Sequence, residues 1–219
     1  MADDAAPDRL PPGVIGPGLE RLVYFSDAVI AIALTLLAID LPVPHGDTEL
    51  EVWGSFVNEL NGAYLTFALS FVVIAAFWTS HHRFYELMAR PGRGMIWRNF
   101  VFLFLIVIMP FATSVLEDTD GSLFGTVFYA AVVAGLGLTR LEMLRHARRQ
   151  GLLRPGTERA RITTILVTVP VVAFGLSIPV ALLVDRRLAQ LMWLVVTVGA
   201  GLATRATRRR TERSPSAPG

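Results

Sequence analysis

The carboxylate of Asp27 lies in an otherwise apolar stretch, within the tripeptide Phe25-Ser26-Asp27. A carboxylate costs about 2.5 kcal/mol or more at the centre of a bilayer, and less near its edge, so its presence there needs a reason. One interpretation is functional. The other is that Asp27 caps a helix or pairs with an arginine, because acidic groups are favoured near a helix N-terminus. The two are compatible, since an ion pair can hold a functional helix in place.

Two adjacent histidines, His81 and His82, are the next candidates, and His82 is the natural partner for Asp27. A metal site is not indicated, because neighbouring residues on a helix point in different directions and no second ligand motif accompanies the pair. The chain has no cysteine. Neither Gly-x-Ser-x-Gly nor His-Glu-x-x-His occurs in it. We therefore expect no catalytic residue, no metal, no cofactor and no enzymatic activity.

An apolar stripe follows Asp27 along the chain. Ile32, Leu36 and Ile39 recur at positions i, i+4 and i+7, which places them on one face of a helix over about 10 Å. Thr35 borders this stripe, and Asp27 lies roughly opposite to it. On periodicity alone, ordinary packing or lipid-facing residues are the simpler explanation.

The elements that carry these residues are those of a membrane protein. Of the 219 residues, 53% are hydrophobic, and a soluble helical bundle would need a polar stripe along each apolar run, which most runs lack. All twenty basic residues are arginines, and they stand in short segments between apolar runs. Membrane topology explains them better than nucleic-acid binding does. The first twenty residues do not have the pattern of a secretory signal.

Six windows approach the roughly 20 residues that a membrane-spanning helix needs. Pro42 and Pro44 are expected to end the first window, because proline lacks the amide donor that a helix uses. The fourth window is one of the two shortest. The predicted spans are Leu22 to Leu41, Gly62 to Ser80, Asn99 to Leu116, Leu123 to Thr139, Ile162 to Val184 and Leu188 to Thr204.

Arginine is distributed unevenly between the connections. Segments 45–61 and 117–122 have none, whereas 81–98, 140–161 and the tail from Arg205 are rich in it. The short Asp185-Arg186-Arg187 turn is the exception on the other side. Since basic short loops stay in the cytoplasm, both termini are expected there. The expected organisation is a cytoplasmic N-terminal segment (1–20), a six-helix membrane domain (21–206) and a basic, disordered tail (207–219).

The first span carries a family resemblance. Residues 21–37, RLVYFSDAVIAIALTLL, and the following Leu41-Pro42-Val43-Pro44 closely resemble the signature of the transmembrane protein 175 family of potassium channels. Phe77-Trp78 with His81-His82-Arg83 on the second span is similar to a further landmark of that family. So is Arg98-Asn99 with the run from Pro110 to Thr113 on the third. The last three spans agree only in number, length and orientation.

This resemblance implies an all-α bacterial channel of the plasma membrane, a homotetramer with a central pore lined by the first helix. It implies hydrophobic pore layers at Ile32, Leu36 and Ile39, with Thr35 as a hydroxyl layer. Potassium is the implied permeant ion, and monovalent cations and the lipid bilayer are the other implied partners. The family's supporting polar network maps onto Arg21, Ser26, Asp27, Trp78, His82 and Asn99.

Other functions stay open at this point. The same apolar pore with nearby histidines could pass protons or act as a weakly selective cation channel. A secondary transporter is disfavoured, because no inverted repeat or pair of broken helices with midplane charges is visible. A non-conducting structural subunit of a membrane complex is the remaining alternative.

Overall fold

A computed structural model of the chain describes residues 17–60, 62–89, 92–154, 160–193 and 195, and over 160–171 it describes the backbone alone. The described chain is all-helical, as predicted. Its helices are α1 (Pro17–Leu36), α2 (Glu49–Glu59), α3 (Ala63–Glu86), α4 (Met95–Asp118), α5 (Leu123–Arg149) and α6 (Ala160–Leu183), and residues 186–193 are also helical.

Three of the described helices, α3, α4 and α5, are long and apolar enough to cross a membrane. They correspond to the second, third and fourth predicted spans, with α3 beginning one residue after the predicted Gly62, and each extends beyond the C-terminal end of its span. Most of the predicted sixth span, and all of segments 1–16 and 196–219, lie outside the described residues. The fifth predicted span coincides with α6 within two residues at each end.

The helices are packed in a definite order. Helix α5 packs against α4 and against α6, and α1 lies over both α3 and α4. The core between α4 and α5 is apolar, with Ile106, Met109, Val133 and Leu136 fully buried. Helix α1 therefore lies at the edge of the bundle, with one face against it.

Helix α1 ends earlier than predicted. It runs only to Leu36, and the chain then makes a turn in which the amides of Ala38 and Ile39 bond to carbonyls three residues back, at 3.2 and 3.1 Å. This tightened turn ends the helix before Pro42 is reached. It also keeps Ile39 above Leu36, since residues three apart eclipse each other in such a turn.

The connection between α1 and α3 contains a helix that the span analysis missed. Helix α2 begins with a capping box, in which the Thr48 side chain accepts from the amide of Glu51 and the Glu51 side chain bonds the Thr48 amide. The spacing of threonine and glutamate is the usual signature of a helix start. The Tyr64 hydroxyl donates to the Pro42 carbonyl at 2.7 Å and fixes this connection onto α3.

Helix α5 is the longest of those described, although its apolar window is one of the two shortest. The expectation of a short fourth element is wrong because the helix continues ten residues past Thr139, through a stretch with four arginines and two leucines. These residue types favour helix whether or not they are apolar. The chain after α5 then pairs with the α3–α4 connection, where the Ala89 amide donates to the Leu152 carbonyl at 2.8 Å.

Candidate functional site

Helix α1 has two distinct faces. Val23, Ser26, Ile30, Ala33 and Leu37 are buried against α3 and α4. The opposite face carries the predicted pore-lining stripe. There Ile32 is 59% exposed and Ile39 71% exposed, and Thr35 and Leu36 are exposed as well.

The hydroxyl of Thr35 is oriented by its own helix. It donates to the Ile32 carbonyl at 2.8 Å. Because its single hydrogen is used in this way, the oxygen remains available as an acceptor on the exposed face. Such an oxygen can ligate a cation, but the hydroxyl has no second hydrogen to donate to another residue.

Ser26 and Asn99 join α1 to α4 within the protein. Both are fully buried. The Ser26 hydroxyl donates to the Leu22 carbonyl at 2.7 Å, so it can only accept from Asn99, whose amide nitrogen lies 2.9 Å away. This arrangement fixes which way the Asn99 amide points, and it directs the Asn99 oxygen towards α3.

His81 and Tyr85 of α3 complete this buried cluster. The Asn99 oxygen accepts from the Tyr85 hydroxyl at 3.1 Å and lies 2.8 Å from His81 Nε2. Since that oxygen is an acceptor, His81 carries its hydrogen on Nε2. The His81 ring stacks on Phe102 with ring centres 4.8 Å apart. The cluster therefore joins α1, α3 and α4 by buried hydrogen bonds in an apolar setting, and only His81 Nδ1 of its ring and amide atoms has no partner among the described residues.

The partner of Asp27 differs from the expected one. Its carboxylate accepts a hydrogen bond from the indole nitrogen of Trp78 at 2.8 Å. His82 instead lies 3.4 Å from Glu86 and stacks on the Trp78 ring. The assignment of His82 to Asp27 is wrong because Trp78, about one helical turn before His82 on α3, provides the hydrogen bond to Asp27.

The six predicted members of the polar network are thus not equally placed. Ser26 and Asn99 lie in the buried cluster. Asp27 of α1 and Trp78 of α3 form a separate pair. His82 contacts this pair by stacking. Arg21 is exposed and has no hydrogen bond or ion pair with a described residue. Arg98, at the start of α4, differs in this respect, because its guanidinium lies 3.4 Å from the Glu142 carboxylate of α5.

Sequence reasoning named His81 as a candidate but did not include it in the polar network, and it missed Tyr85 and Arg140. Arg140 of α5 is 1% exposed and donates to the Ser80 carbonyl of α3 at 2.8 Å. Its guanidinium lies 4.7 Å from the centre of the Phe84 ring, which is a cation–π contact. The helical spacing of Leu136, Arg140 and Met143 could have identified it, because that spacing places the arginine on the same face as two apolar residues.

The outer end of the α1 region is also tied to α4. The Ser114 hydroxyl donates to the Asp40 carboxylate at 2.7 Å. Asp40 immediately follows Ile39, the last residue of the apolar stripe. The stripe is therefore held by polar contacts on both sides, at Ser26 and at Asp40.

No group of three or more potential metal ligands occurs among the residues that the structure describes. The site is therefore an exposed apolar face with one hydroxyl oxygen, carried by a helix that polar contacts fix to two others. Such an arrangement offers no nucleophile or acid–base pair at the exposed face. It does offer a surface on which other copies of the chain could enclose a passage.

Comparisons with known proteins agree with the resemblance noted above. A family model described as the endosomal/lysosomal potassium channel TMEM175 matches residues 21–110. A potassium channel of Streptomyces collinus is 28% identical over 168 residues, which cover 74% of this chain and 81% of that one. A potassium channel of Chamaesiphon minutus is 37% identical over 99 residues, 45% of this chain and about half (49%) of its relative.

The fold has a counterpart among solved structures. The crystal structure of a lysosomal potassium-selective channel TMEM175 homolog from Chamaesiphon minutus superposes with a TM-score of 0.69 at 24% identity, over 86% of this chain and 98% of that one. This likeness shows the all-helical fold. The resemblance found in the first three spans is confirmed by the family model, which matches residues 21–110, and by the two bacterial relatives.

Proposed function

We propose that this chain, which matches the TMEM175 channel family over residues 21–110, forms a potassium-conducting pore whose lining is helix α1. Four copies surround the pore, each crossing the membrane six times. The matched family is described as a channel, which is in line with the absence of enzymatic activity expected from the sequence. Potassium is the permeant ion, and no cofactor is required.

The observation that carries the proposal is the exposed face of α1. Ile32 and Leu36 of α1, with Ile39 in the turn after it, are apolar and exposed, whereas the other face of the helix is buried against α3 and α4. Helix α1 has no described partner helix on that side. Enclosing this face between copies of the chain would give a narrow apolar tube about 10 Å long.

An apolar ring of this kind closes a pore by excluding water. Four Ile32 side chains would form the constriction, and a small outward tilt of α1 would let water in. A cation that passes must lose part of its hydration shell, and the Thr35 oxygens can replace some of it. Sodium holds its shell more tightly than potassium, so this exchange favours potassium.

The buried cluster and the Asp27–Trp78 pair support the pore helix in this proposal. Ser26, Asn99 and His81 fix the inner end of α1, and Ser114 fixes Asp40 at the outer end. His82 and Arg21 line the edges of this support. The anchors lie behind the pore face, where a permeating ion does not meet them.

The arginine distribution supports the topology of the proposal. Segments 1–20 and 207–219, which precede and follow the membrane domain (21–206) in sequence, both lie in the cytoplasm. The reason is that the arginine-rich connections are expected on the cytoplasmic side. The bacterial relatives support the plasma membrane as the compartment.

The direct test is the reversal potential of the purified chain in a bilayer under opposed potassium and sodium gradients. We expect a value close to the potassium equilibrium potential. A reversal potential that follows a pH gradient instead would assign the pore to protons, and equal permeability to both ions would make it a weakly selective cation channel. A chain that passes no ion when reconstituted alone would be a structural subunit.

The lining is tested by Ile32→Asn. We expect the single-channel conductance to rise by roughly two- to tenfold and the potassium preference to fall, because a polar ring stays wet. The matched control is Leu176→Asn, an equally exposed leucine on α6, which should leave conductance unchanged. An unaltered conductance in Ile32→Asn would remove α1 from the pore wall.

A further inference from the structure

We propose that neighbouring copies of the chain join through a ridge of large side chains on α4 that packs into a groove of small side chains on α3 of the next copy. The ridge consists of Phe100, Phe104, Val107 and Phe111. The groove consists of Ala68, Val72, Ala75 and Thr79. The inference rests on the proposed pore, because it uses α1 as the inner wall.

Ridge and groove have the same spacing. Each set recurs at i, i+4, i+7 and i+11, so each forms a straight stripe along its helix. All four ridge residues are exposed, by 45–64%. In the groove Ala68 and Val72 are exposed, and Ala75 and Thr79 are half-buried. Neither stripe is covered by another described helix.

The two stripes flank α1 on opposite sides. Phe25 of α1 meets Phe100 edge to face, with ring centres 5.8 Å apart, so the ridge begins directly beside α1. On the other side Asp27 bonds Trp78, whose neighbour Thr79 ends the groove. Helix α1 therefore separates the ridge of a copy from the groove of that same copy.

This placement decides how copies meet around a pore. If α1 faces the axis, rotation about that axis brings the ridge side of one copy against the groove side of the next. Such a contact joins two different surfaces, and it closes into a ring when the rotation divides a full turn. A contact that joined ridge to ridge could not build such a ring.

The chemistry of the stripes fits this contact. Helices in a membrane associate by close packing rather than by burial from water, and small residues allow their backbones to approach. The groove is apolar throughout, because the Thr79 hydroxyl donates to the Ala75 carbonyl at 2.9 Å and is not presented outwards. Aromatic rings on one side and alanines on the other give complementary volumes.

The levels of the two stripes in the membrane also match. Within one copy, Thr113 bonds Ser70 and Asn99 bonds His81, each at 2.8 Å, which fixes how α3 and α4 run past each other. Between these two fixed levels, Val107 lies at the level of Ala75. Phe111 likewise lies at the level of Val72. A rotation axis along the membrane normal preserves these levels, so the same pairs meet between copies.

The absence of cysteine from the chain makes a disulfide test unambiguous. The full chain is made with Val107→Cys and Ala75→Cys together, reconstituted in liposomes and oxidised. We expect a ladder of covalent dimer, trimer and tetramer that ends at four, with most of the chain linked. Each single variant should stay monomeric, because each residue meets a different one in the neighbour.

A mismatched pair of cysteines tests whether linkage depends on the two residues lying at the same depth in the membrane. Phe111→Cys with Thr79→Cys places the two thiols about 10 Å apart along the membrane normal, and we expect at least about a tenfold lower linked fraction than for the matched pair. Equal linkage of matched and mismatched pairs would overturn the proposal. So would dimers from a single variant, which would mean that one stripe meets itself.

Potassium flux is measured on the same liposomes under reducing conditions. Flux without a ladder would mean that the pore exists but that lipid or another face covers the ridge, which overturns this interface alone. A ladder without flux would support the interface and contradict the proposed conduction. The two proposals are thus separated by one preparation.

Discussion

Asn99 is the residue on which the contact between α1, α3 and α4 depends. Its amide nitrogen donates to Ser26, and its oxygen accepts from Tyr85 and from His81. All four residues are fully buried. Buried polar groups cost free energy when they lose their partners, so removal of this one side chain affects three helices.

We expect Asn99→Ala to lower the free energy of unfolding by about 1–3 kcal/mol, because it leaves the Tyr85 hydroxyl and His81 Nε2 without an acceptor. The measurement is the thermal unfolding midpoint in detergent. Asn58→Ala, on the exposed side of α2, is the matched control and should have little effect. Equal stability of the Asn99 variant and the control would show that water replaces the lost bonds.

The choice between His81 and His82 shows what sequence cannot decide at this scale. Both residues follow an aromatic residue by four positions, Phe77 and Trp78, so each continues an apolar stripe. In a soluble helix the exposed stripe would be polar and the two would be told apart. In a membrane helix both stripes are apolar, and only the position of Asn99 and Trp78 in the fold identifies the buried histidine.

Helix α5 depends on Arg140 for its contact with α3. This arginine is buried, donates to Ser80, and lies over Phe84. No carboxylate among the described residues forms an ion pair with it. Its planar guanidinium therefore uses hydrogen bonds and ring contacts, which the compact ammonium of lysine does not reproduce.

We expect Arg140→Lys to destabilise the fold by about 1–3 kcal/mol, since the Ser80 carbonyl contact and the stacking on Phe84 are both weakened. The thermal midpoint in detergent is again the readout. Arg145→Lys, an exposed arginine on the same helix, should change it little. If both variants unfolded at the same temperature, the guanidinium geometry would be irrelevant to the contact.

At the scale of elements, hydropathy found the long helices and misplaced their ends. It located α3, α4 and α5 because each contains an apolar window of sufficient length. It could not find the end of α5, where helix continues in polar sequence, or α2, which is too short and too polar to register. The turn after Leu36 is set by backbone bonds to Thr35 and Leu36 rather than by the prolines on which the expectation relied.

At the scale of the whole molecule, charge is separated across the proposed membrane. Two of the connections on the proposed outer side, 40–61 and 117–122, hold eight carboxylates and no arginine, five in the first and three in the second. The third outer connection, Asp185-Arg186-Arg187, adds one carboxylate and two arginines. The arginines of segments 81–98 and 140–161 lie on the other side. A pore whose outer mouth carries such a field concentrates cations there before they enter.

Asp40 is the carboxylate of this set that lies nearest the proposed pore, because it follows Ile39 directly. Ser114 holds it in place at 2.7 Å. We expect Asp40→Asn to reduce inward potassium current by roughly twofold in 10 mM salt, where the Debye length is about 30 Å, and to have little effect in 1 M salt, where it is about 3 Å. The measurement is the single-channel current at fixed voltage in both solutions.

Ser114→Ala separates the charge of Asp40 from its hydrogen bond. This variant keeps all carboxylates, so the inward current at low salt should stay close to that of the unaltered chain. If Ser114→Ala lowered the current as much as Asp40→Asn did, at both salt concentrations, the bond that positions the end of α1 would be the cause. Salt dependence confined to Asp40→Asn would instead identify the field, because a contact of 2.7 Å is far shorter than the Debye length of the dilute solution and is little screened by ions.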